Sequence, residues 1–116
     1  MGYESKIIVA EVKRYSSTLV FAEKIAEMRM ACMSDDFPRL FTKEIDYKII
    51  IDGDDNEVDT DLYGKKLTTA PIDNVIAWLE GEVQKYEYRR LRPLLGLLKG
   101  FDPQQWNELQ IIHFGY

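Results

Sequence analysis

The apolar residues of this chain follow two spacings. In the stretches "KIIVAEVKR", Lys6 to Arg14, and "LFTKEIDYKIII", Leu40 to Ile51, they alternate with polar ones. From Ile72 to Leu98 they recur every three or four residues. Alternation is the signature of a strand with one face buried. The longer spacing is that of a helix with one apolar stripe. Strands first and helices after them predict an α+β layer, an antiparallel sheet covered on one face by helices.

The individual elements follow from the same patterns. In the first strand Ile8, Ala10 and Val12 share one face, and Val9, Glu11 and Lys13 share the other. Leu40–Ile51 reads as the clearest strand, with Phe41, Lys43, Ile45, Tyr47, Ile49 and Ile51 on one side. Residues 19–33 fit two descriptions. Ala26, Met28, Met30 and Cys32 alternate as in a strand, whereas Phe21, Ile25, Met28 and Cys32 fall at helical spacing. Periodicity does not decide between them. Helices are predicted over 71–85, opened by Pro71 and Asp73, and over 87–100, with Pro93 in the first turn. Asp102 and Pro103 mark a further short helical turn, and "LQIIHFGY" closes the chain as a strand. The expectation is one α+β domain spanning 1–116, with about four antiparallel strands and two helices on one face, in the order β–β–β–α–α–β. An open sheet of that size has two edges, which makes a homodimer conceivable.

Bulk properties narrow the function classes. Twenty acidic against 15 basic side chains leave a net charge of −5. That disfavours sequence-independent binding to DNA, which depends on neutralising phosphates. The single cysteine, Cys32, allows no internal disulfide. No apolar run approaches the roughly 20 residues of a membrane helix. The expected setting is cytoplasmic, with no membrane partner.

Two charged stretches are candidates for contact with a partner. "IIIDGDDNEVDTDLYG" holds Asp52, Asp54, Asp55, Glu57, Asp59 and Asp61 with no cation among them. As a calcium loop it fails, because Glu57 stands where the sharp turn needs Gly and Tyr63 where a bidentate Glu is needed. It remains either a solvated connection or an acidic surface suited to a cationic groove built for nucleic acid. Downstream, Arg89 and Arg92 lie beside Tyr86 and Tyr88. They read as the wet side of an amphipathic helix or as an anion or partner site.

Catalytic patterns are thin. His113 is the only histidine and sits in an expected strand, where it reads as structural. A Cys32–His113 nucleophile and base remain a minor alternative. One His and one Cys cannot build a zinc site unaided. No phosphate-binding or serine-nucleophile motif occurs, so neither a cofactor nor catalytic residues are expected.

Three segments, "MGYESKI", "DLYGKKLTTAPI" and "YRRLRPLLGLLKGFDPQQWNELQIIHFGY", together resemble small accessory proteins carried by phages and prophages of Gram-positive bacteria. The resemblance spans most of the chain, is weakest over 16–40, and carries no site residue with it. It implies a bacterial host cytoplasm as the setting. The functional expectation is a non-enzymatic, acidic accessory protein that binds and inhibits a host protein of defence or nucleic-acid processing, without touching nucleic acid itself. The competing expectations are a virion structural or assembly protein, and a small enzyme or nucleotide-binding protein using the Arg-rich helix.

Overall fold

The computed structural model describes residues 5–30, 38–51, 57–85 and 91–115. Its strands are β1 (Ser5–Arg14), β2 (Val20–Arg29), β3 (Lys43–Glu44), β4 (Ile49–Ile50), β5 (Glu57–Val58), β6 (Thr68–Ala70) and β7 (Leu109–Gly115). Two helices, α1 (Ile72–Lys85) and α2 (Leu91–Lys99), stand between β6 and β7. The strands form one sheet in the order β3-β6-β7-β1-β2-β4-β5. The class is α+β, but the expected sheet of about four antiparallel strands is corrected to seven. The sheet is mixed, because β2 and β4 run parallel, and it curls into a half-barrel.

The correction originates in Leu40–Ile51. That stretch is not one strand. Its first part pairs with β6 as β3, and its last part pairs with β2 and β5 as β4. Strands β3 and β4 are five steps apart in the sheet but only residues 45–48 apart in sequence. Five steps in a flat sheet cover about 24 Å. The chain from Glu44 to Ile49 reaches at most about 17 Å. The sheet must therefore curl to bring its two ends together. Within the crossing, the Ile45 N–H donates to the Leu67 carbonyl at 3.0 Å, and the Ile45 and Ile49 side chains are buried inside the curl.

The inner part of β1, from Ile7 to Ala10, and strand β7 are covered on both faces. Ile7, Val9, Leu109 and Ile111 pack against the helices with Val75, Leu79, Leu91, Leu94 and Leu98. Ile8, Ala10, Val12, Ile112 and Phe114 pack into the concave side with Ala22, Ile45, Ile49 and Leu67. Lys99 on α2 reaches Glu80 on α1 at 3.6 Å. Pro93 lies in the first turn of α2, where its missing N–H costs nothing. Asp102 caps the 3₁₀ helix Pro103–Glu108 by accepting from the Gln104 N–H at 3.0 Å. No helix among the described residues is long and apolar enough to cross a membrane.

Residues 20–29 are strand, which resolves the open reading of 19–33 over that part, residues 31–33 lying outside the described ones. The ambiguity had a physical source. Val9 pairs with Ala26 but Ala10 pairs with Lys24, so Ile25 is an extra residue, a β-bulge. The bulge shifts which residues face which side. Before it, Val20 and Ala22 face the curl; after it, Ala26 and Met28 face the helices.

Candidate functional site

Of the acidic stretch, Asp52, Asp54 and Asp55 lie outside the described residues. Glu57 is exposed in β5. The other two carboxylates have structural partners. The Lys66 ammonium lies 2.8 Å from Asp59, and this hydrogen bond holds the Asp59 carboxyl below the usual range. Asp61 Oδ1 accepts from the backbone N–H groups of Tyr63 and Lys65 at 2.8 and 3.0 Å. This closes a turn whose Gly64 adopts φ +80°, a conformation glycine takes without strain. The turn is anchored to the end of β7, where the Leu62 N–H donates to the Gly115 carbonyl at 3.2 Å.

Tyr86, Tyr88 and Arg89 lie outside the described residues, as does Cys32. Arg92 is exposed on the first turn of α2, and its guanidinium donates to the Val83 carbonyl of α1 at 3.5 Å. The structure thus places Arg92 in the helix layer and Asp59 and Asp61 at a turn beside β7. It does not bring them together. His113 is half-buried on β7 with its ring 5.5 Å from that of Phe41. Burial pushes the imidazole pKa down, against the opposing pull of Asp61.

One open end of the curl forms a cleft of about 540 Å³. Val12, Ile45 and buried Thr69 are among its lining, with three cations, Lys13, Arg14 and Lys43, and three carboxylates, Glu44, Asp46 and Glu108. The Arg14 guanidinium donates to Asp46 Oδ1 at 2.7 Å and lies 5.6 Å from the centre of the Tyr47 ring. That hydrogen bond holds the Asp46 carboxyl below its ordinary range. The Tyr47 hydroxyl oxygen is buried, with no hydrogen-bond partner among the described residues, and burial pushes its pKa up to about 12. The Thr69 hydroxyl lies 2.8 Å from the Ile111 carbonyl and 2.9 Å from Gln110 Oε1. Positive and negative side chains are balanced around this cleft, so it selects no sign of charge.

The second feature is the outer part of the β1–β2 hairpin. Pairing of β1 with β7 stops at Glu11–Leu109, and the hairpin continues beyond it as an arm. The concave face of the arm is packed, with Val12 and Ala22 buried. Its other face continues the helix-facing side of β1 past the helices. There Lys13 pairs with Phe21, and Glu11 with Glu23. Phe21 is 43% exposed and Ile25, in the bulge, 45%. At the tip Tyr15 and Leu19 are 64% and 60% exposed. The tip is nonetheless well bonded. The Tyr15 N–H donates to the Leu19 carbonyl at 2.9 Å, and Ser16 Oγ accepts from the Leu19 N–H at 3.0 Å.

Sequence reasoning passed over this surface. It weighed Phe21 and Ile25 as members of a stripe at helical spacing. The usable signal was the strand reading of the same residues, in which Phe21, Glu23 and Ile25 fall together opposite Glu11 and Lys13.

Comparison with family models, with curated proteins and with solved structures returns no match to this chain.

Proposed function

We propose that this chain acts by binding another protein, through the outward face and tip of the β1–β2 arm. The observation that carries the reading is the exposure of Tyr15, Leu19 and Phe21 on one ordered projection of the sheet, with Ile25 exposed beside its base. Single exposed apolar residues are ordinary on any protein surface. Several on one element mark an interaction site. Aromatic residues are also those that most often anchor protein interfaces.

In its finer form, the bound protein belongs to a bacterial host and handles nucleic acid, and the chain inhibits it. That form rests on the net charge of −5 and on the sequence resemblance to phage accessory proteins. An acidic surface suits a partner whose own surface is basic.

The test is an affinity capture from bacterial lysate with the parent chain and with a folded Leu19→Ser/Phe21→Thr variant in parallel. The reading predicts a protein retained at defined stoichiometry by the parent and lost from the variant. Retention by both to the same extent would move the contact elsewhere on the molecule.

A further inference from the structure

The outward face of the arm contains a conflict that folding does not explain. At its base, Glu11 of β1 stands directly opposite Glu23 of β2. Opposed residues on adjacent strands have Cβ atoms about 5 Å apart, and like charges there destabilise the pair. Lys13 relieves one side of it, with Nζ 3.5 Å from Glu11. Glu23 has no ion pair among the described residues. Exposed apolar groups lie next to the glutamates, Phe21 two residues before Glu23 on the same face and Ile25 in the adjoining bulge. Natural sequences seldom retain a local conflict without a use for it.

We propose that this face docks a protein surface presenting a lysine or arginine between apolar side chains. The cation seats between Glu11 and Glu23, and the apolar groups cover Phe21 and Ile25. The inference rests on the reading that the arm binds protein, and it specifies the partner's chemistry. Charge complementarity selects the occupant. A second copy of this chain would bring the same patch across a two-fold axis. Four glutamates would then face two copies of Lys13, on two bodies each of net charge −5. A cationic partner removes the conflict, and enclosure by apolar contacts strengthens the attraction by excluding water.

The experiment pans the purified full chain against a display library of random twelve-residue peptides, and melts the free chain beside it. Selected peptides are expected to carry Lys or Arg among apolar residues. Glu23→Gln should weaken them at least about tenfold, and Phe21→Thr should abolish their binding. In the free chain, Glu23→Gln should raise the melting temperature by about 2 °C, because it relieves the opposed charges. Selection of apolar peptides without a cation, indifferent to Glu23→Gln, overturns the inference and leaves the protein-binding reading standing. Selection of no peptide sensitive to Phe21→Thr overturns both. A concentration-dependent dimer that Phe21→Thr dissociates would assign the face to a second copy and overturn the inference. A lower melting temperature for Glu23→Gln would remove the conflict on which it stands.

Discussion

The two ends of the β1–β2 hairpin share a backbone ladder and differ in what surrounds them. At the inner end, Ile7 and Val9 pair with Met28 and Ala26 beneath the helices, and Ile8 and Ala10 fill the curl behind them. Both faces are apolar and both are covered. At the outer end, Val12 and Ala22 are covered on the concave side, while Phe21 and its neighbours on the other side face solvent. The helix layer ends before the arm does. Burial of an apolar side chain contributes about 1.5–3 kcal/mol to folding. The inner end contributes it from both faces, the outer end from one. Apolar groups on the uncovered face are therefore free to serve a contact with another molecule.

The bulge at Ile25 is the joint between the two ends, and shifting β2 across it gives the largest expected effect. Deleting Ile25 alone removes only the unpaired residue and keeps every pair; deleting Lys24 and Ile25 together also removes one paired residue and puts all of β2 in a single alternation. Either Val20 and Ala22 or Ala26 and Met28 must then leave their core in the double deletion. The double deletion should cost several kcal/mol and prevent cooperative unfolding by urea at 25 °C. A double-deletion variant that unfolds as sharply as the parent, at the same midpoint, would show that the bulge does not set the register.

A smaller effect concerns pH at the inner end. His113 faces Ile7 across the β1–β7 ladder, and its folded-state pKa lies below 6.5 because burial disfavours the imidazolium. Between 6.5 and the folded value, the unfolded chain binds the extra proton and the folded chain does not. Stability is therefore full above pH 6.5 and falls as pH drops through that window. Urea midpoints measured across it should show this slope, and His113→Gln should flatten it. An equal slope in the variant would assign the pH dependence to other groups.

Smaller still is the effect of Tyr47→Phe, behind the concave side of the arm. A buried hydroxyl without a partner costs stability. Removing it should leave the chain unchanged or more stable by up to about 1 kcal/mol. A loss of more than that would show that the hydroxyl is bonded in solution.

The sequence made the helices, the Asp102 cap and the first and last strands legible, because each rests on local periodicity or capping chemistry. It concealed the curl. Leu40–Ile51 alternates well enough to pass for one strand, and nothing local shows that its halves pair at opposite ends of the sheet. The runs "KIIVA" and "LQIIHF" did hold a signal, since strands buried on both faces read as continuous apolar stretches. The bulge hid the arm, because a single extra residue shifts the alternation of β2 midway and mimics helical spacing at Phe21, Ile25 and Met28. The acidic stretch was conspicuous by charge. Its described aspartates are engaged in a salt bridge and a turn, which composition alone cannot distinguish from a free surface.

The central claim is that the apolar groups on the arm's outward face are not there for the fold. The most direct test compares Ile7→Thr with Phe21→Thr in urea denaturation at 25 °C, neutral pH. Threonine suits a strand at both positions. Ile7→Thr buries a hydroxyl in the helix-facing core and should cost about 2–4 kcal/mol. Phe21→Thr should cost no more than about 1 kcal/mol, because the ring is only partly covered. A loss at Phe21 equal to that at Ile7 would make the aromatic ring part of the core and contradict the account.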